Sequence, residues 1–320
     1  MNWRRIPVGL IWAVLIALPL FVTRIGEPFY VTLATRLLIF ALAASSLNLV
    51  LGYGGMVSFG HAAFFGAGGY IVGILGMMDI FSGWISWPLA LIVAGLLALI
   101  IGAISLRTRG VYFIMITLAF AQMLFFLFVS LRVYGGQDGL SLDRSLLGLG
   151  LDLENNVTFY YVVLALLTLT LVLLHRIIHS RFGIVVGAIK ENETRMMALG
   201  YSVFRYKLLA FAIGGALAGL AGALNANLNT FISPNALAWP LSGQMIMMVI
   251  VGGVGRFWGG MVGAIVFLLL ETILSRYTIY WQLGVGVVLL VIVLNAPQGI
   301  VGLVTQGVNR VRKTKSEPTS

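Results

Sequence analysis

The sequence contains no cysteine, which excludes disulfides, thiolate catalysis and metal sites ligated by cysteine. Charged side chains are also scarce: Asp, Glu, Lys and Arg make up 9% of the residues, whereas hydrophobic residues make up 60%. A soluble domain carries about 25% charged residues, so this composition excludes an ordinary soluble protein. It indicates an all-α, polytopic membrane protein with one integral membrane domain.

Signals of catalysis are nearly absent. The chain has four lysines, and none of them follows a glycine, so no Walker A phosphate loop is present. Glu271 is the one acidic residue inside an apolar run, which disfavours a proton relay, and we expect it to pair with an arginine such as Arg276. His175 and His179 have metal-ligand spacing but no nearby carboxylate, and we interpret them as interfacial histidines. We therefore expect a non-enzymatic protein with no metal or cofactor.

The net charge of +10 is distributed around the apolar runs, where basic residues set orientation and meet anionic lipid headgroups. Nucleic-acid binding is not indicated. The apolar runs suffice for about eight to ten spans, with 52–76 and 277–294 among them. The run at 241–251 is only about half a span, so it is either a short helix or a re-entrant one, and in an eight-span arrangement either 52–60 or 241–251 does not cross. In the ten-span arrangement most basic residues lie on the side of the N-terminus, which predicts that both termini are cytoplasmic.

This arrangement divides the chain into a transmembrane domain and a short tail. We expect the membrane domain to cover residues 1–309, with a cytoplasmic loop at 178–207 and an extracytoplasmic segment at 132–158. Residues 310–320 form a basic tail on the cytoplasmic side.

The polar loop at 178–207 has internal order. Residues 188–199 have the periodicity of about three helical turns, and one face carries apolar side chains. The residues of that face are Val185, Ile189, Met196 and Leu199. Glu191 precedes Arg195 by four positions, the favourable order for a helical ion pair, and Gly200 suits the left-handed residue that ends a helix. The loop is either a helix that presses into a partner protein or an ordinary loop whose charges fix the topology.

Glycine is abundant, at 39 residues, and nine of them fall within 47–76. Small residues at helical spacing favour close helix packing, which explains most of them. The stretch Gly52–Gly60 differs, because breakable backbone and polar side chains occur there together at membrane depth. Broken helices of this kind form polar sites without charges in transporters. The candidate pathway residues are Asn48, Ser58, His61, Gln122 and Gln244.

Several motifs, in order along almost the whole chain, resemble those of branched-chain amino-acid ABC importer permeases of the LivM type. The most extended are LNL at 47–49, GYGG at 52–55 and SFGHAAFFG at 58–66. The others are RGVYF at 109–113, TLAFA at 117–121, GGQDGL at 135–140, RFG at 181–183, AIKENE at 188–193, ALG at 198–200, YKL at 206–208 and GGVG at 252–255.

The resemblance implies half of the pore of a bacterial inner-membrane importer, beside a second homologous permease. Two cytoplasmic ATPases, which use the ATP, and an extracytoplasmic substrate-binding protein would complete it. The loop would dock on an ATPase, although Glu191 is followed by Asn192 and Glu193 rather than by the Ala-Ala of the common importer motif. The candidate coupling residues are Lys190, Glu191, Glu193, Ala198 and Gly200. The sequence leaves open whether the solute is a branched-chain amino acid, another amino acid, an aromatic acid, urea or a short amide, and a secondary carrier or channel for a small polar solute is the alternative.

Overall fold

The structure is a computed structural model, and it describes residues 15–19, 28–146, 153–296 and 298–303. The chain forms a helical bundle, which confirms the predicted all-α polytopic class. The first helices are α1 (Pro28–Asn48), a π-helical turn (Leu49–Tyr53), α2 (His61–Met77), α3 (Gly83–Ser105), α4 (Val111–Ser130), α5 (Asn156–Ile178), α6 (Arg181–Glu191) and α7 (Glu193–Ala198). They are followed by α8 (Val203–Asn229), α9 (Trp239–Gly252), α10 (Gly259–Tyr277) and α11 (Trp281–Asn295). The basic tail at 310–320 and most of the first apolar run lie outside the described residues.

Six of the described helices are long and apolar enough to cross a membrane. They are α1 with its π-helical turn, which we call the first span because it comes first among the described residues, and α3, α4, α5, α8 and α10. Three apolar helices are shorter: α2, α9 and α11. The run at 241–251, for which either a short helix or a re-entrant one was expected, lies in the 14-residue helix α9. The expected spans at 52–76 and 277–294 are the shorter helices α2 and α11.

The bundle has two ends. α8, with 27 residues, is about 40 Å long at 1.5 Å per residue. It begins next to α6 and α7, and we call this the loop end. It finishes next to a small antiparallel sheet of β1 (Leu140–Ser141) and β2 (Phe231–Ile232), which we call the strand end. The described part of the segment at 132–158 lies at the strand end, opposite the loop at 178–207.

α8 is central to the packing, in contact with α1, α2 and α3. Its glycines allow close approach: Gly222 lies against the backbone carbonyl of Phe65, and Gly219 lies against Gly68 of α2. A side chain at Gly222 or Gly68 would collide with backbone, and one at Gly219 would collide with the Ala94 side chain of α3, so the small residues are required by the helix contacts.

Two segments outside the α-helices enter the bundle from opposite ends, and the second contains a short 3₁₀ helix (Pro234–Leu237). Residues 54–60 lead inward from the loop end to the start of α2, and residues 233–238 lead inward from the strand end to the start of α9. The starts of these helices meet, because the Ala62 N–H donates a 2.8 Å hydrogen bond to the Ser242 hydroxyl oxygen. From there α2 runs to the strand end and α9 runs to the loop end.

The ion pair predicted for Glu271 is different from the one in the structure. Glu271 on α10 accepts a 3.3 Å hydrogen bond from the guanidinium of Arg36 on α1, while the Arg276 guanidinium lies 5.6 Å from the ring centre of Phe29. Glu271 thus pairs with an arginine, as predicted, but that arginine is Arg36 rather than Arg276. A carboxylate within a span is best compensated by a cation at its own depth, and α1 supplies one.

At the strand end, Arg144 holds the chain segments together. Its guanidinium donates to the carbonyl oxygens of Leu153 at 3.0 Å and Leu228 at 3.5 Å. Burial lowers the pKa of this guanidinium, and the nearby Glu154 carboxylate acts in the opposite direction. The side chain joins the segment at 132–158 to the end of α8.

Candidate functional site

The loop at the loop end consists of two helices rather than the one predicted. α6 is capped by Ser180, whose side chain accepts from the Gly183 N–H, and it ends at Glu191. Asn192 has extended backbone (φ −153°), and its side chain accepts a 2.9 Å hydrogen bond from the Arg195 N–H. Asparagine is a strong N-cap residue, so Asn192 ends α6 and begins α7. The prediction of one continuous helix over 188–199 is therefore wrong.

The break removes the expected ion pair. Glu191 and Arg195 no longer have the spacing of one helix, and the structure of the described residues shows no ion pair between them. The predicted apolar face is correct for Val185, Ile189 and Met196, which form a small buried cluster with Val203 of α8. Leu199 is 64% exposed, so the prediction that it lies on that apolar face is wrong. Gly200 has a φ of +86°, which confirms the left-handed residue expected there.

Glu193 fixes α7 to the bundle. Its carboxylate accepts a 2.8 Å hydrogen bond from the Lys207 ammonium and lies 3.3 Å from the guanidinium of Arg109. Lys207 belongs to the first turns of α8, and Arg109 lies in the turn between α3 and α4. One carboxylate therefore joins the loop to two different parts of the bundle.

Lys190 fixes α6 in the same way, but to a different segment. Its ammonium donates a 2.7 Å hydrogen bond to the Gly52 carbonyl oxygen, in the π-helical turn that ends the first span. Of the five candidate coupling residues, Lys190 and Glu193 thus make contacts within the chain. The other three, Glu191, Ala198 and Gly200, are exposed.

Asn48 lies just beyond this contact and is buried. Its side-chain amide donates to the Arg256 carbonyl oxygen at 2.7 Å and accepts from the Gly255 N–H at 3.0 Å. These two bonds satisfy both polar atoms of the amide and join the end of the first span to the turn between α9 and α10. The structure thus gives Asn48 a bridging position.

Ser58 and His61 lie at the inner part of the broken segment, and both are fully buried. The Ser58 hydroxyl accepts from the Gly60 N–H at 3.1 Å, and His61 Nε2 lies 2.9 Å from the Ser46 hydroxyl oxygen. Because the Ser46 hydroxyl donates to the Ala43 carbonyl at 2.7 Å, the imidazole Nε2 must carry the proton in this contact.

Two further hydroxyl side chains, which were not predicted from the sequence, form hydrogen bonds in this region. Thr117 of α4 accepts from the Phe59 N–H at 3.2 Å, and Ser242 of α9 accepts from the Ala62 N–H. Both bind backbone N–H groups at the helix break. The sequence feature that could have identified them is a hydroxyl residue in or near an apolar helix, such as Thr117 in the motif TLAFA.

Gln122 and Gln244 are separate from the hydrogen bonds just described. They lie on α4 and α9 and are half-buried. The structure therefore brings Asn48, Ser58 and His61 to one continuous stretch of broken helix and leaves the two glutamines on the neighbouring helices.

An open pocket of about 370 Å³ lies toward the strand end. It is lined by Phe125, Phe126, Val129, Gln137, Pro234 and Asn235. Its walls combine apolar side chains with two neutral amides and carry no charge.

The described residues contain no group of three or more His, Asp or Glu side chains that could hold a metal ion. His175 and His179 lie with ring centres 4.1 Å apart, and His179 Nδ1 is 2.8 Å from the His175 carbonyl oxygen. The pair sits at the end of α5, in contact with the Phe257 ring.

The comparisons with known proteins agree with these features. Residues 29–294 match the family described as branched-chain amino acid transport system, permease component. The chain is 27% identical to the high-affinity branched-chain amino acid transport system permease protein LivM of Salmonella typhimurium, with 89% of this chain and 74% of the relative covered. It is 28% identical to the corresponding LivM protein of Escherichia coli, with 88% and 73% covered.

A second type of permease is also similar. The chain is 26% identical to the LivH permease protein of the same Escherichia coli transport system, with 82% of this chain and 91% of the relative covered. No solved structure matches the chain. The resemblance seen in the sequence motifs is confirmed: the chain belongs to the family of permease components of branched-chain amino acid transport systems.

Proposed function

We propose that this chain is a membrane-spanning permease subunit of an ABC importer for branched-chain or related amino acids. Partner ATPases hydrolyse ATP, and the chain converts their motion into solute uptake. The observation that carries this proposal is the loop of α6 and α7, which presents exposed residues outward while Lys190 and Glu193 bind it to the bundle. A loop held in this way is suited to transmit a displacement.

The docking surface comprises the exposed part of the two loop helices. Glu191, Ala198 and Gly200 are exposed there, beside the apolar side chains of Met197 and Leu199. An exposed apolar edge next to charged residues favours a protein partner over solvent. A cleft of the ATPase is the partner that fits the family of the chain.

The solute route is proposed to pass the broken helices. Asn48, Ser58, His61, Gln122 and Gln244 are neutral polar residues on or beside that region, which suits the amino and carboxyl groups of a zwitterion without a deep charged site. The burial of Ser58 and His61 means that this part of the route is closed in the present structure. Opening requires movement of residues 54–60.

The remaining subunits follow from the same proposal. The relatives named LivM and LivH support a pair of homologous permeases, and two ATPases would dock at the loop end. An extracytoplasmic binding protein would meet the segment at 132–158. The chain would reside in the bacterial inner membrane, with both termini in the cytoplasm. No cofactor is held by this chain, because the ATP is bound by the partners.

Reconstitution in proteoliposomes tests the proposal. This chain is co-purified with its second permease, ATPases and binding protein, and solute uptake and ATP hydrolysis are measured together. We expect uptake only with ATP, and loss of uptake in Glu191→Ala/Gly200→Pro, while Leu169→Ala, at a side chain that is 65% exposed on α5, behaves as the unchanged protein. Uptake by this chain alone without ATP would instead indicate a secondary carrier or channel.

A further inference from the structure

The end of the first span leaves backbone carbonyl groups that need partners. The N–H groups of Gly54, Gly55 and Met56 bond back to the carbonyls of Leu49, Leu51 and Val50. The Gly52 carbonyl instead accepts from the Lys190 ammonium at 2.7 Å. A cation at a helix C-terminus is electrostatically favourable, and it satisfies a carbonyl that the helix itself cannot.

The hydrocarbon stem of Lys190 also contacts the broken segment. Gly55 has a φ of +68°, and a Cβ atom built there would lie 2.8 Å from Lys190 Cγ. Both the backbone conformation and the contact with the lysine stem therefore require glycine at this position. The lysine lies along the start of residues 54–60 as well as binding the carbonyl before them.

The same place is joined to α9 and α10. The Asn48 side chain accepts from the Gly255 N–H and donates to the Arg256 carbonyl oxygen. A Cβ atom built at Gly255 would lie 3.1 Å from the Gly52 carbonyl oxygen and 3.9 Å from Lys190 Nζ. Gly52 has no room for a side chain, because the Gly255 backbone nitrogen would lie 2.5 Å from its Cβ atom. Three segments thus meet at Gly52: the loop, the helix break and the turn between α9 and α10.

We infer that Lys190 is a positioning residue that transmits displacement of α6 to the helix break, rather than a contact to the ATPase. A shift of α6 by an ångström or more either moves the Gly52 carbonyl or breaks the hydrogen bond, which weakens steeply with distance and angle. Since residues 54–60 lead directly to Ser58 and His61, the displacement reaches the buried part of the route. This inference rests on the proposed function.

Coupling between the loop and the break is measured as solute taken up per ATP hydrolysed in the reconstituted complex. Lys190→Met keeps the stem and removes the donor, and we expect uptake per ATP to fall about tenfold, within the usual range of coupling between sites, while ATP hydrolysis continues. Lys190→Arg retains a cation and should keep most of the ratio. Arg195→Met is the control, because Arg195 is an exposed cation on the same loop; if it affects docking, uptake and hydrolysis fall together and the ratio stays.

A local reporter separates transmission from general damage. Because the chain has no cysteine, Val57→Cys gives one labelling site within the broken segment. We expect its maleimide labelling rate to differ between the nucleotide-free and ATP-bound complex, and this difference to disappear in Lys190→Met. If Lys190→Met does not assemble, Lys190→Leu, whose side chain also lacks a hydrogen-bond donor, provides the same comparison.

The possible results distinguish the two proposals. A wild-type complex without ATP-dependent uptake overturns the proposed function and this inference together. ATP-dependent uptake with an unchanged ratio and an unchanged labelling response in Lys190→Met overturns the role of Lys190 alone.

Discussion

Glu193→Gln should loosen α7 from the bundle while leaving the size of the side chain unchanged. The hydrogen bond to Lys207 joins side chains that are 25% and 19% exposed, and its loss costs about 1.5 kcal/mol. The Arg109 guanidinium is 68% exposed, so solvent screening limits that pair to about 0.5 kcal/mol. The sum of about 2 kcal/mol corresponds to a roughly thirtyfold increase in the equilibrium constant for local opening of α7.

Hydrogen–deuterium exchange of the protein in nanodiscs measures this opening. We expect the amides of α7 to exchange about thirtyfold faster in Glu193→Gln, with the amides of α3 unchanged. Glu191→Gln is the matched control, since Glu191 is exposed and forms no ion pair within the described residues. Equal exchange of α7 in the two variants would refute the anchoring role of Glu193. High salt should reduce the difference only partly, because the Lys207 contact is partly buried and therefore less screened than the exposed Arg109 pair.

Three further changes test the packing of the bundle. Gly222→Ala should lower the melting temperature, because the added methyl group would collide with the backbone of α2. The control Gly187→Ala places a methyl group in open space on α6, so it should be neutral or stabilise the protein by up to about 1 kcal/mol. Ser242→Ala should lower the free energy of unfolding by about 1–3 kcal/mol, since it leaves a buried N–H of α2 without a partner, and thermal denaturation in detergent would show it. Arg36→Met and Glu271→Met should each be destabilising, and the double variant should recover much of the loss in a double-mutant cycle; additive effects would contradict the ion pair.

The sequence alone predicted those features that depend on local backbone chemistry. The glycines and polar residues at 52–60 predicted a break, and the structure has non-helical backbone at 54–60. Gly200 was correctly identified as left-handed, and the short apolar run at 241–251 was correctly identified as less than a full span. For the glycines the residue type itself restricts the conformation, and for 241–251 the length of the apolar run limits the helix.

Features that depend on partners distant in sequence were not predictable. Arg36 and Glu271 are 235 positions apart, so periodicity gave no reason to pair them, and the nearby Arg276 was chosen instead. Thr117 and Ser242 acquire their role only because the fold brings backbone N–H groups to them. Asn192 is a different case: its capping tendency was available in the sequence, but the apolar periodicity on both sides outweighed it.

Site-directed crosslinking tests the central claim most directly, because a chain without cysteine permits single labelling sites. Ala198→Cys on the loop is compared with Val133→Cys, which is 75% exposed at the strand end, in the complex with its ATPases. We predict that Ala198→Cys crosslinks to an ATPase and that the crosslink blocks ATP-driven uptake, whereas Val133→Cys gives no ATPase crosslink. An ATPase crosslink at Val133→Cys, or none at Ala198→Cys in an actively transporting complex, would contradict the account.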